Sequence, residues 1–359
     1  MNYRVTKILP EKSLTGAGTE TIDINIKDII SRLTIAWRIS KSAHGMNSYP
    51  YKDITKIELV DGSDVLFSMD GGECQALCIY DRKCPTMNHG QALSALSQYS
   101  TYGIDFGRFL HDPELAFDPT RFNNPQLKIS YDVDVSDTGN ATGYLEVWAD
   151  CFDEKIVSPI GFLMSKEHWS GAKPTSGYEY IDLPTDYPIR KMLIKAYVAG
   201  AEPWYQIDKA RIDEDHEKRI PFDWDDLEDY YRVMKGVWTP VEELLVGVGT
   251  SGGGNVFYVT PTDYYLKQAF NIIGDGYVQL TNYGQGGKIT PVTSTAAPFF
   301  MGVVSGYLPN HCFEFPFGDP KDINDWYDVT KLGSCRLRIE AGSGGVTDTG
   351  IVLQQLRRY

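Results

Sequence analysis

Apolar and polar positions alternate in short runs along most of this chain, and Gly, Pro, Asp and Ser interrupt the runs before any grows long. That period of two predicts β-strands joined by turns. One stretch occurs twice. Ile54–Tyr80 lies on Ile207–Val233 without a gap at a shift of 153 residues, with Ile54 facing Ile207, Leu59 facing Ile212 and Phe67 facing Ile220. Further on, Cys74, Leu77 and Cys78 face Leu227, Tyr230 and Tyr231. Each trio has the i, i+3, i+4 spacing of one helical face, so the period changes from two to 3.6 there. The pattern predicts, in each copy, a strand, an acidic loop and one short amphipathic helix, with Ser68 and Asp223 as candidate N-caps.

A second match follows in the same order. Phe117–Ile129 lies on Tyr327–Ile339 at a shift of 210, with Asp118/Asp328, Thr120/Thr330, Leu127/Leu337 and Ile129/Ile339 identical. Beyond it, Thr142-Gly143-Tyr144 corresponds to Thr349-Gly350-Ile351 and opens one more strand, so both segments read as hairpins. The two shifts differ by 57, which places an insertion of about that size in the second copy, within residues 234–326. The Gly-, Ser- and Pro-rich run at 168–180 reads as a linker. The expected organisation is an N-terminal arm over 1–19, a first module over 20–172, and a second over 173–359 that carries the insertion.

Composition supports an all-β reading. Tyr is unusually frequent, 23 residues against 15 Phe, and its body packs on a sheet while its hydroxyl stays wet. A formal charge of −14 argues against wrapping a nucleic-acid backbone, which needs a cationic surface. The start, MNYRVTKILPEK, lacks the apolar core of a signal peptide, and Ala296–Leu308 is too short to span a bilayer. Six cysteines are too sparse for a disulfide scaffold, so synthesis in a reducing cytoplasm is expected.

Tandem modules of this size, each with a helix, resemble the double jelly-roll major capsid proteins of tailless icosahedral viruses and phages. The resemblance rests on ITKIELVDGSDVLFSMDGGE in the first copy, on residues 181–200 as the opening of the second, and on the closing strands GSCRLRIEAGSGGVTDTGIVLQQLRRY. It implies two tandem jelly-roll β-sandwiches and a homotrimer forming a pseudo-hexagonal tile of an icosahedral virion shell. The implied partners are neighbouring copies, penton and minor capsid proteins, and in some viruses an internal membrane. A carbohydrate-binding or host-attachment sandwich is the alternative, and a β-sandwich hydrolase a third class.

Each cluster that suggests chemistry has a plainer structural reading. Gly247-Val-Gly249-Thr-Ser-Gly252 matches GxGxxG, but a strand candidate rather than a helix follows, contrary to a dinucleotide site. Cys74, Cys78 and Cys84, with His89 nearby, match no zinc spacing, and their repeat partners Leu227 and Tyr231 mark the first two as core. His311-Cys312 are adjacent, which points them to opposite faces of a strand. The acids at Asp213–Glu217 and Asp223–Asp229 lack the Gly turn of a calcium loop and read as a solvated loop and a helix start. Asn140-Ala-Thr142 is a formal glycosylation sequon; Tyr187-Pro188 and Glu202-Pro203-Trp204 are aromatic-proline pairs expected to pack. No catalytic, cofactor-binding or metal-ligating residue is assigned, and no enzyme activity is expected.

Overall fold

A computed structural model describes residues 1–40, 48–91, 97–136, 141–172, 176–248, 250–251, 256–271, 278–279, 285–290, 292–293, 299–344 and 348–359. The first half of the chain folds as nine strands, eight of which, all but the shortest, make two facing four-stranded sheets. In chain order these are β1 (Tyr3–Leu14), β2 (Ala17–Asp23), β3 (Ile30–Ser40), β4 (Ile54–Asp61) and β5 (Asp64–Met69). Helix α1 (Gly71–Arg82) and the short β6 (Asn88–Gln91) follow, then β7 (Ser97–Asp105), β8 (Pro125–Asp132) and β9 (Thr142–Phe152). One sheet has the order β1-β9-β3-β7 and the other β2-β8-β4-β5.

The second half repeats this plan. It comprises β10 (Gly161–Ala172), β11 (Tyr178–Leu183), β12 (Ile189–Tyr197), β13 (Ile207–Glu214), β14 (Arg219–Trp224) and α2 (Leu227–Met234). After an insertion containing β15 (Val241–Val248), β16 (Pro261–Asn271) and β17 (Phe299–Pro309) come β18 (Cys312–Pro316), β19 (Cys335–Ala341) and β20 (Asp348–Arg358). The orders β10-β20-β12-β18 and β11-β19-β13-β14 match those of the first half, strand for strand. Both are jelly rolls: the first strand pairs with the last, and the chain crosses between sheets at nearly every connection.

The alternation in the sequence explains which face each strand buries. Leu33, Ile35, Trp37 and Ile39 of β3 are fully buried while the residues between them stay half-exposed. Leu145, Val147, Ala149 and Cys151 of β9 do the same beside them. Ile57, Leu59, Leu127 and Ile129 join them in the same core from the facing sheet. Burying each such Leu, Ile or Val side chain is worth roughly 1.5–3 kcal/mol.

The duplicated motif is a repeated piece of backbone. Asp118 and Asp328 each cap a single 3-10 turn, accepting from the Thr120 and Thr330 amides at 3.0 and 3.2 Å. Just before the turn, Phe117 pairs with Ile30 as Tyr327 pairs with Ile189, at the start of β3 and β12 respectively. Ile54 and Ile207 each open the fourth strand of their roll.

Several expectations are corrected. Residues 1–19 are no arm: Tyr3–Leu14 pair with β9 along its length, starting at Tyr3 with Phe152. Residues 161–172, expected to close the first module, pair with β20, starting at Gly161 with Arg358. They open the second roll, so residues 181–200 hold parts of its second and third strands, and the run at 168–180 contains the end of β10 and the start of β11. The acidic loop is a tight turn at Gly62-Ser63 followed by another strand, β5. The supposed hairpins β8–β9 and β19–β20 are crossovers, because their strands belong to different sheets. The insertion does not elaborate the second roll. It adds β15, β17 and β16 to the first roll's sheet beyond β7 and β6.

Two sheets therefore run across both halves. Beside the one extended by the insertion, a parallel contact of Phe67 and Ser68 with Ser165 and Lys166 joins β5 to β10. Among the described residues no helix is long and apolar enough to cross a membrane.

Candidate functional site

A buried cluster of polar and charged side chains fills the seam between the rolls, and α1 forms it. Asp70 caps the helix: its side chain accepts from the Glu73 amide at 2.7 Å while the Glu73 side chain accepts from the Asp70 amide at 3.2 Å. A Cβ on Gly71 would sit 2.4 Å from the Tyr51 carbonyl oxygen, so only glycine lets the helix start this close to that backbone. Every residue from Gly71 to Tyr80 is buried, which an amphipathic helix on one sheet would not achieve.

The reason is that α1 is covered from two sides. Towards the first roll, the Cys74 and Cys78 thiols both donate to the Gly103 carbonyl, at 3.3 and 3.1 Å, and Gln75 Nε2 donates to Ser100 Oγ at 2.7 Å. Towards the second roll, the Tyr80 hydroxyl donates to the Cys312 carbonyl at 2.7 Å. Asp81 Oδ1 meets Arg190 at 2.6 Å and Lys191 at 2.7 Å, and its other oxygen accepts from Gln354 at 3.0 Å. Lys191 also pairs with Glu314, whose second oxygen accepts from Trp238 at 3.0 Å. Near the helix start, Lys195 reaches Asp70 at 2.5 Å and Asp348 at 3.1 Å.

Electrostatics follow from this burial. Burial alone pushes the Asp81 carboxyl up, but Arg190, Lys191 and the Gln354 amide outweigh it and hold it well below the usual range. Burial lowers Lys195, yet Asp70, Glu73 and Asp348 overcompensate and raise it. Glu73 is pushed up to about 8, chiefly by burial and by Asp70. Desolvating so many charges offsets much of their attraction, so the cluster fixes the relative orientation of the rolls more than it adds net stability. Cavities of about 380 Å³ beside Lys52, Lys195 and Asn310, and of about 260 Å³ beside Lys191 and Trp238, flank the helix.

Among the described residues, those suspected of chemistry assemble no site beyond the shared contact of Cys74 and Cys78 with the Gly103 carbonyl. Cys74 and Cys78 are core, Cys84 is exposed, and His89 stacks on Tyr99; among the described residues no group of three or more His, Cys, Asp or Glu could hold a metal ion. Cys312 is buried and its thiol is pushed up, chiefly by burial. His311 is buried in the left-handed region at φ 61° and packs edge-on against Tyr197. The acidic stretches are absorbed locally. Arg211 pairs with Asp213, Arg219 with Glu214, Asp215 accepts from the Gly333 and Ser334 amides, and Asp226 caps α2. The caps are thus Asp70 and Asp226, not Ser68 and Asp223. Trp204 stacks on Tyr231 at 4.9 Å, and Tyr187 is partly buried against the core. Asn140, Gly249 and Gly252 lie outside the described residues.

His311 yields a pH prediction. Burial, then Lys52 and Lys195, lower its pKa to about 3. Because the folded value lies below the unfolded value of about 6.5, the unfolded state binds the proton first, and stability falls as pH drops from about 6.5 towards 3. His311→Asn, which tolerates the same φ, is expected to flatten that limb of a midpoint-versus-pH curve. An unchanged slope would contradict the assignment.

No protein-family model matches the chain, and no curated protein sequence matches it. Solved structures do. The major capsid protein (MCP) of STIV, Sulfolobus turreted icosahedral virus, superposes with a TM-score of 0.61 at 10% identity, over 99% of this chain and 96% of that one. The major capsid protein of bacteriophage PM2 gives 0.54 at 11% identity, over 99% and 98%. The capsid of PBCV-1 virus gives 0.55 at 13% identity, over 99% and 94%. The chain therefore has the double jelly-roll fold of these viral capsid proteins, over 99% of its length and 94–98% of theirs.

Proposed function

We propose that this chain is a structural coat protein that self-associates as a trimeric, pseudo-hexagonal tile of an icosahedral virion shell, and is not an enzyme. The carrying observation is that two rolls of identical strand order fill the chain and are locked together by a buried helix and ion cluster. A tile needs that rigidity. The likeness to capsid proteins over nearly the full length of both partners supports the same reading. We place the boundary between the rolls at 153–160, between β9 and β10. The location that follows is the virion, after synthesis in the host cytoplasm; penton and minor capsid proteins, and an internal membrane, are the partners such a shell would bring.

Sedimentation of the purified protein tests this. A species of three times the 40.3 kDa chain mass is expected, and a monomer at every concentration would overturn it. A carbohydrate-binding reading has one observation in its favour, the exposed pair Tyr178 and Tyr180 on β11. Arg338 and Arg336 lie over those rings at 4.6 and 5.9 Å, which leaves less open aromatic face for a sugar.

A further inference from the structure

The two helices occupy equivalent places in the repeat but live in different surroundings. By the sequence match, Gln75, Ala76, Ile79 and Tyr80 correspond to Glu228, Asp229, Arg232 and Val233. The first four are buried. Of their counterparts, Asp229, Arg232 and Val233 are exposed, Val233 at 60%. One face of α1 is covered by the second roll; the same face of α2 is covered by nothing among the described residues.

The sheets show the complementary difference. Strand registers make Arg38 opposite Tyr144 the equivalent of Lys195 opposite Gly350, and Thr34 opposite Trp148 the equivalent of Lys191 opposite Gln354. In the second roll the outward residues Lys191, Leu193, Val352 and Gln354 are nearly inaccessible, because α1 lies on them. In the first roll the outward residues Arg38, Tyr144, Glu146 and Trp148 are half-exposed, and Val5 beside them is 63% exposed. Arg38 lies over the Tyr144 ring at 3.8 Å and Lys7 over Trp148 at 4.3 Å. Trp, Tyr and Arg clustered on a flat face are the residue types that dominate binding energy at protein interfaces.

We propose that α2 of one copy seats on the outer face of the β1-β9-β3-β7 sheet of a second copy, as α1 seats on β10-β20-β12-β18 within the chain. This rests on the self-assembly reading and names the surface that performs it. The charges agree. Inside the chain, acids on the helix (Asp70, Asp81) meet bases on the sheet (Lys195, Lys191). Between copies, the acidic start of α2, Asp225 to Asp229, meets Arg38, the equivalent of Lys195. Arg38 also pairs at the surface with Glu11 at 3.0 Å. Such a contact is head-to-tail, because each copy uses a different surface on either side, and head-to-tail contacts close into rings when the rotation permits.

Charge reversal provides the test. Arg38→Glu and Asp229→Lys, each at a solvent-reached position and each checked for an unchanged thermal midpoint, are expected to weaken association at least tenfold in sedimentation. Combining them in one chain is expected to restore most of it. A second readout is independent of affinity: copies carrying Arg38→Cys mixed with copies carrying Asp229→Cys, both with Cys84→Ser, should join through a short bis-maleimide. If the unaltered protein associates while neither reversal weakens it and the mixed copies fail to cross-link, the seat is wrong and the coat reading stands. If the unaltered protein never associates, both fall.

Discussion

Replacing Asp81 by alanine is expected to lower the unfolding free energy by about 3–5 kcal/mol, the usual cost of removing one partner from a buried charge cluster. Arg190 and Lys191 are 4% and 2% exposed at their side chains, so neither can turn to water when the carboxylate is gone. The loss is read from the urea midpoint at neutral pH with the slope unchanged. Its pH dependence has a definite sign. The folded carboxyl titrates below its unfolded value of about 3.9, so its contribution is complete above that pH and fades as pH falls further. The variant and the unaltered protein should therefore converge in strong acid. A loss below about 1 kcal/mol at neutral pH would mean that water or a rearranged Glu314 compensates, and that the seam is softer than described.

Phe117→Ala is expected to cost a similar amount, about 3–5 kcal/mol for an emptied aromatic site. Phe117 is fully buried, stacks on Phe106 and Phe122 at 4.8 and 4.9 Å, and meets Phe162 of β10 edge-on at 5.6 Å. Its backbone pairs with Ile30 at the mouth of the first core. The cavity would thus open at the junction of both rolls, and Phe117→Leu should recover much of the loss. Equal midpoints for the alanine variant and the unaltered protein would contradict this packing.

What the sequence revealed was whatever repeats locally. The match of Ile54 to Ile207 found the same strand start twice, and Asp118/Asp328 found the same capped turn, because side-chain caps and alternating cores leave marks within a few residues. Edges and long-range pairings leave fainter ones. Strand β1 contains Pro10 and charged residues and shifts register between Lys7 and Leu9 and between Leu9 and Lys12, so its alternation is broken and it read as an arm. Strand β10 changes from GFLMS to the polar KEHWSGA, which resembled a linker although β20 holds it throughout. Nothing in β15 indicates that it will pair with Gly90 and Gln91 of the other roll.

The seam is a mixed case. The buried trio on each helix was visible as a 3.6-residue period. The contrast between the helices was also written in their other faces: Gln75, Ala76, Ile79 and Tyr80 against Glu228, Asp229, Arg232 and Val233. Reading that contrast as one covered and one uncovered helix required knowing that both sit at the same place in their rolls. Likewise nothing in the sequence around Lys191 and Lys195 marks them as lysines that α1 covers.

Electron microscopy of the purified protein tests the central claim most directly. The expected particle is a trimer with a six-lobed outline, one lobe for each jelly roll, or shells tiled by such particles. A field of compact single chains that never associate would contradict it.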